Sequence, residues 1–192
     1  PESAPLTSER RLLAMGATVV RGGRAWDDAW VEALAFAGRT GALAVHPFED
    51  PAVLAGQATV GLELHEQAPD LDVVVVAIGG GGLISGVASA YAALAPGVRI
   101  VGVEPEGAPS MLESVRAGRV VTLPAVKTIA GTLAPRAVGP NTLSIASRLV
   151  SEIVLVSDDA MKSAILADVT AFMGPQLDDI TMVILRRTAD DP

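Results

Sequence analysis

Cysteine is absent from this sequence of 192 residues, and lysine is almost absent. Without cysteine there are no disulfides and no thiolate nucleophile. Lysine occurs only as Lys127 and Lys162, so arginine supplies most of the 14 basic side chains. A chain rich in alanine, glycine and arginine at the expense of lysine is typical of a GC-rich bacterial genome, and a bacterial source is predicted.

Positive charge and long apolar runs are also scarce. The 22 acidic residues outnumber the 14 basic ones and leave a formal charge of −8, whereas nucleic-acid binding needs a basic face. No apolar run approaches the roughly 18–20 residues of a membrane helix, and no basic segment precedes an apolar one as in a secretory leader. We therefore expect a cytoplasmic protein that binds neither nucleic acid nor membranes.

Half of the residues are hydrophobic, which excludes a disordered chain, and their pattern alternates between strands and helices. After its first residue, the predicted strand Asp72–Ile78 is apolar at consecutive positions, as in a strand buried in a parallel sheet. Further strands are predicted at 17–21, 42–46, 98–103, 152–156 and 180–186, and helices at 8–15, 26–39, 51–67, 83–94, 110–117, 142–150 and 158–172. This alternation predicts an α/β fold, with an open, mostly parallel sheet and helices on both faces.

Four consecutive glycines, Gly79, Gly80, Gly81 and Gly82, directly follow the most hydrophobic strand, and a helical pattern begins at Leu83. Glycine lets the backbone approach a ligand with its N–H groups free, and the start of a helix adds partial positive charge. Both features suit a phosphate group at the carboxyl end of a sheet strand. The alternative is a turn at which helix and strand pack closely.

Other phosphate-binding motifs fit this loop less well. It lacks the Gly-Lys-Ser/Thr of a Walker loop, which disfavours nucleotide hydrolysis, and its glycines are not spaced as in a dinucleotide fingerprint. Ser85 is a candidate hydroxyl donor to a phosphate. Glu104 ends the next predicted strand, where it either faces the bound ligand or caps the turn at Pro105, and the sequence leaves both open.

Eight short motifs, each present once, follow one another along residues 1–160. They are PESAPL at 1–6, GATVV at 16–20, HPFEDP at 46–51, AGQATVGLE at 55–63, VVVVAIGGGGL at 73–83, VGVEP at 101–105, TIAGTL at 128–133 and VLVSDD at 154–159. Together they resemble the serine/threonine dehydratases, or threonine ammonia-lyases, which are fold-type II pyridoxal-phosphate enzymes.

This resemblance implies a cofactor, a reaction and a site. It implies pyridoxal 5'-phosphate, a small-molecule phosphate or amino acid as ligand, a homo-oligomer, and conversion of serine or threonine to a 2-oxo acid and ammonia. The cofactor-binding residues that it implies are Gly79, Gly80, Gly81, Gly82, Leu83 and Glu104.

The sequence also departs from this family. The family's catalytic lysine belongs to an SFKxRG-type motif and its ring-contacting asparagine to an SGNH-type loop, and neither motif is present. No segment after Asp159 matches the PSGA-type contact to the pyridine nitrogen. We therefore expect a fragment, truncated at both ends, that has no assigned catalytic residue, is weak or inactive and does not attach the cofactor covalently. Lys127 and Lys162 are the only candidate substitutes, and both are expected to be solvated surface lysines.

Residues 161–187 resemble instead the C-terminus of bacterial PPM-type protein phosphatases, in which an aspartate of a DDIT-type motif binds a divalent metal. Asp178 stands at the matching position, although a strand-entry turn with two solvated aspartates is the favoured alternative, and no metal site is predicted. Two domains are expected, a dehydratase-like one at 1–160 and a phosphatase-like one at 161–192. A non-catalytic α/β module that binds a phosphorylated ligand or a partner, and a metal-dependent phosphatase fragment, are the alternative functions.

Overall fold

The computed structural model describes residues 1–2, 4–24 and 26–171 of the chain. Two compact units are present, Pro1–Val45 and the unit that begins at His46. The first contains α1 (Leu6–Ala14) and α2 (Trp26–Thr40). The second contains α3 (Pro51–Gln67), β1 (Val73–Ala77), α4 (Gly82–Leu94), β2 (Arg99–Pro105), α5 (Ser110–Ala117), a short 3-10 helix (Gly131–Leu133), α6 (Pro140–Leu149), β3 (Glu152–Val156) and α7 (Asp158–Ala171).

The three strands of the second unit form a parallel sheet in the order β1-β2-β3. Val74 lies opposite Ile100, and Val103 lies opposite Val154 in the next pair. Because all three strands run the same way, their carboxyl ends meet at one edge, from which α4, α5 and α7 depart. The predicted α/β fold with an open, parallel sheet is confirmed.

The core of the second unit lies on one face of the sheet. Val74, Val76 and Ile78 are at most 2% exposed and pack in one cluster with Ile84 and Tyr91 of α4. Each such side chain contributes roughly 1.5–3 kcal/mol by leaving water. The alternate residues of β1 are only half-buried, so the strand is less evenly buried than its continuous apolar run suggests.

Helix α3 packs on α4 through small residues. A Cβ added at Gly61 would lie 2.8 Å from Ala90 Cβ, and one added at Gly86 would lie 2.5 Å from Ala58 N. Asp50 begins α3, since its Oδ1 accepts the N–H of Ala52 at 2.8 Å. This close packing fixes α4, and with it the loop that precedes α4, against the turn that leads into α3.

The strands predicted at 17–21 and 42–46 are wrong, because both segments are irregular in the structure. A strand needs a neighbour with which to exchange backbone hydrogen bonds, and no sheet is present among the described residues of the first unit. Instead, the Arg21 guanidinium donates to the carbonyl of Glu2 at 2.9 Å and pairs with Glu9 at 3.2 Å.

The domain boundary predicted between 160 and 161 falls inside α7. The two compact units of the structure meet in sequence between residues 45 and 46. The predicted strand 180–186 lies outside the described residues. Of the helices that the structure describes, none is both long enough and apolar enough to cross a membrane.

We expect the chain to self-associate through its first unit, because that unit exposes large apolar side chains beside a groove of about 660 Å³. Val20 is 79% exposed and Leu43 is 87% exposed. Light scattering should give a mass above the 19.6 kDa of one chain. Replacing both residues with lysine should shift the mass toward the monomer, whereas Leu62→Lys on α3 serves as the matched control. A monomer at every concentration would contradict this expectation.

Candidate functional site

The tetraglycine loop lies between the end of β1 and the start of α4. Ile78 is the last residue held by the sheet, since its N–H donates to the carbonyl of Val103 at 2.8 Å. Gly81 is the N-cap of α4 and has φ +91°, which side chains other than glycine rarely adopt. The first hydrogen bond of the helix runs from the N–H of Ser85 to the carbonyl of Gly81 at 3.0 Å.

The backbone N–H groups from Gly79 to Ile84 have no acceptor in the part of the chain that the structure describes. Gly81, Gly82 and Ile84 are buried residues. A buried donor without a partner costs about 1–3 kcal/mol. Several such donors in one turn, at the positive end of a helix, form a site for an anion.

Protein atoms occupy the position of a side chain at each glycine of the loop. A Cβ would meet Leu133 Cα at 3.1 Å from Gly79, Phe48 Cγ at 2.2 Å from Gly80, Met111 Cε at 2.5 Å from Gly81 and Phe48 Cα at 3.0 Å from Gly82. Close packing by other segments therefore leaves no room for a side chain at Gly80 and Gly81 and little room at Gly79 and Gly82. The packed loop is also the one with free amides.

Carboxylates satisfy the N-termini of three other helices in this unit. Asp50 caps α3, Glu49 accepts the N–H of Asn141 in α6 at 2.6 Å, and Glu104 caps α5. The N-terminus of α4 has a glycine as its cap and no side-chain acceptor. Among these helices, α4 is thus the one whose first turn has no side-chain acceptor.

Glu104 acts as a helix cap in the structure. It is 1% exposed, and its two oxygens accept the N–H groups of Met111 and Leu112, each at 2.8 Å. The N-cap of α5 is Pro109, which has no side-chain acceptor. Glu104 of β2 takes that role, so the capping alternative is the one observed, with α5 rather than the Pro105 turn as the recipient.

Burial dominates the ionisation of Glu104. Desolvation raises the pKa of this carboxyl from 4.5 to about 7, although the two backbone N–H donors oppose the shift. The carboxyl therefore holds its proton in the folded protein over a range in which an exposed glutamate is ionised.

Of three other residues that the sequence suggested, one has its hydroxyl engaged in the core and two lie on the surface. Ser85 is fully buried, and its hydroxyl donates to the carbonyl of Thr142 at 3.5 Å, so it is not free for a phosphate. Lys127 is exposed. The Lys162 ammonium pairs with Asp159 at 3.1 Å on the surface. The two lysines are surface residues, as predicted.

Two supports of the loop were not predicted as site residues. Phe48 packs on Gly80, and the segment that contains Leu133 packs on Gly79. That segment is tied to the start of α7, because Thr128 donates to Asp158 Oδ1 at 2.6 Å. Phe48 and Leu133 both belong to motifs that carry the family resemblance. That resemblance was the one signal for them, because their distance in sequence from the glycines follows no pattern.

No group of three or more potential metal ligands occurs among the residues that the structure describes. Asp178, the weak metal candidate, lies outside them. The described site is therefore built from backbone donors rather than from carboxylates.

The family of pyridoxal-phosphate dependent enzymes matches residues 1–169. The chain belongs to this family. It is 42% identical to L-threonine ammonia-lyase of Thermotoga maritima over 166 residues, which are 86% of this chain and 41% of that protein. The family match extends beyond the boundary predicted at residue 160.

Solved structures of pyridoxal-phosphate dependent enzymes share the fold. A threonine deaminase isoform from Solanum lycopersicum has a TM-score of 0.84 at 36% identity, over 91% of this chain and 48% of that one. Maize serine racemase has a TM-score of 0.83 at 34% identity, over 88% of this chain and 51% of that one. The fold-type II resemblance is thus supported. The chain spans less than half the length of the T. maritima relative.

We expect Glu104 to lower the stability of the chain as pH rises from about 4.5 to about 7. Below this range the Glu104 carboxyl is protonated in both the folded and the unfolded state. Within the range it loses its proton in the unfolded state alone. The stabilising contribution is therefore complete at the acid end and lost at the neutral end, a change of about 3 kcal/mol. Urea unfolding at several pH values measures it.

Glu104→Gln is the control, because it keeps the size of the side chain and cannot titrate. Burial lowers the pKa of His46, against the charges of Glu49 and Asp50, and this produces an opposite slope that both proteins share. The difference in stability between the two proteins isolates Glu104. A constant difference across this range would contradict the burial argument.

Proposed function

We propose that the loop from Gly79 to Gly82, with Leu83, binds the phosphate of pyridoxal 5'-phosphate. We further propose that the chain is the cofactor-phosphate-binding part of a serine/threonine ammonia-lyase. The observation that carries the proposal is the run of backbone N–H groups from Gly79 to Ile84 that lack acceptors among the described residues. Membership of the pyridoxal-phosphate dependent family supports the identity of the anion.

The residues present fit a phosphate group better than a carboxylate side chain of the protein. Phosphate offers several acceptor oxygens and a double negative charge, which suit clustered amides at a helix N-terminus. Leu83 contributes its amide from the first turn of α4, and the glycines contribute theirs without side chains to block approach. Glu104 is not part of this set, because its oxygens are committed to α5.

When bound, the cofactor supplies an electron-withdrawing ring that stabilises negative charge at the α-carbon of an amino acid. The part that we assign to this chain is to hold the phosphate and so orient the ring. Proton transfer at the substrate needs a further group with a tuned pKa, and neither Lys127 nor Lys162 lies in a desolvated environment. The exposure of both lysines favours, as second candidate, a non-catalytic module that binds a phosphorylated ligand.

The chain should bind pyridoxine 5'-phosphate at least about ten-fold more tightly than pyridoxine, which lacks the phosphate. Neither compound carries an aldehyde, so surface lysines cannot react with them and mimic binding. Isothermal titration calorimetry gives both affinities. Gly81→Ala should weaken the affinity for pyridoxine 5'-phosphate by about ten-fold or more. Alanine at φ +91° strains the backbone, and its Cβ would lie 2.5 Å from Met111 Cε.

Gly118→Ala is the matched control for that substitution. Gly118 also has a positive φ, +65°, but no atom lies within 4 Å of the added Cβ, and the residue ends α5 rather than starting α4. This variant should lose stability and keep its affinity. Equal affinity for the two compounds in the wild type, or equal losses in the two variants, would contradict phosphate binding at the loop.

This chain alone should release no 2-oxo acid from L-threonine or L-serine in the presence of pyridoxal 5'-phosphate. Loss of a catalytic amine commonly removes several powers of ten in rate, and carboxylates such as Asp178 cannot replace an amine. A coupled assay for 2-oxo acid measures the product, with Lys127→Ala and Lys162→Ala as controls. Turnover of about one per second or faster that is lost in either control would show that an exposed lysine is catalytic.

A further inference from the structure

The turn formed by His46–Asp50 packs directly on the tetraglycine loop through Phe48. A Cβ added at Gly80 would lie 2.2 Å from both Cγ and Cδ1 of the phenyl ring, and one at Gly82 would lie 3.0 Å from Phe48 Cα. The ring and backbone of one residue therefore fill the side-chain positions of two of the four glycines. A loop without side chains has few contacts of its own, and this one is shaped by its neighbour.

His46 holds Phe48 in place within the turn. Its Nδ1 accepts the N–H of Glu49 at 3.1 Å and lies 3.4 Å from the donating N–H of Phe48. The imidazole and phenyl rings meet edge to face, with centroids 4.5 Å apart and planes at 89°. An Nδ1 that accepts a hydrogen bond must be unprotonated, and burial lowers the pKa of His46 in the same sense.

Glu49 ties the turn to the start of α6. Its Oε1 accepts the N–H of Asn141 at 2.6 Å, and its Oε2 accepts the N–H of Thr142 at 3.3 Å. Thr142 Cβ lies 2.9 Å from the position of a Cβ at Gly81. The turn therefore supports the loop twice, directly through Phe48 and indirectly through α6.

We propose that Phe48 is a positioning residue for the phosphate-binding loop, held for that purpose by His46 and Glu49. It sets the affinity for phosphate through the loop conformation and without contact to the phosphate itself. This inference rests on the proposed function of the loop. The aromatic ring matters because a flat face fits against a glycine Cα, where a smaller side chain leaves the loop free to rearrange.

The test compares the affinity of variants of the 192-residue chain for inorganic phosphate and pyridoxine 5'-phosphate, by calorimetry. Phe48→Ala should weaken the affinity for both ligands by about ten-fold or more. Phe48→Tyr keeps the ring, and its affinities should stay within about three-fold of wild type. Leu149→Ala is the matched control, since Leu149 is also a partly buried apolar residue but lies at the far end of α6. It should lose stability without losing affinity.

Glu49→Gln gives a second route to the same answer if Phe48→Ala does not fold. It keeps Phe48 and one acceptor oxygen but loses the other contact to α6, so we expect a smaller loss, of about three-fold. Unchanged affinity in the folded variants, or an equal loss in Leu149→Ala, would overturn the positioning role while leaving the proposed function intact. Absence of phosphate binding in the wild type would overturn both.

Discussion

Close packing around the glycines from Gly79 to Gly82 is the constraint on which the rest of the site depends. Atoms of Phe48, Leu133 and Met111 fill the places that side chains would take. The loop is consequently held in one conformation, and in it the amides from Gly79 to Ile84 find no acceptor among the described residues. Packing thus maintains a set of unpaired donors, whose desolvation a bound anion would offset.

The acidic side chains around this edge of the sheet accept hydrogen bonds from neighbouring segments of the chain. Glu104 caps α5, Glu49 caps α6 and Asp158 accepts hydrogen bonds from Thr128 and the N–H of Ile129. A glutamate that ends a buried strand beside a glycine loop looks like a ligand contact in the sequence. Its role as a cap depends on Pro109, whose lack of a side-chain acceptor leaves the first turn of α5 to be satisfied from elsewhere.

Local sequence patterns predicted the strand and helix on either side of the glycine loop correctly, and they predicted strands in the first unit wrongly. The apolar run before the glycines gave β1 and the start of α4 within a residue, because burial and glycine chemistry act locally. The strands predicted at 17–21 and 42–46 are absent, since β-branched residues form strands only when a neighbouring strand is present. Phe48 could not be linked to Gly80 from the sequence, because a contact between distant segments leaves no periodic pattern. Its motif entered only through the family resemblance.

The most direct test of phosphate binding at the loop is an amide NMR titration of the chain with inorganic phosphate. A hydrogen bond from each loop amide to the anion should move the signals from Gly79 to Leu83 downfield together, with a single dissociation constant. Amides of the first unit, such as those near Leu43, should not move. Saturable binding that shifts other amides and leaves the loop signals in place would contradict the account.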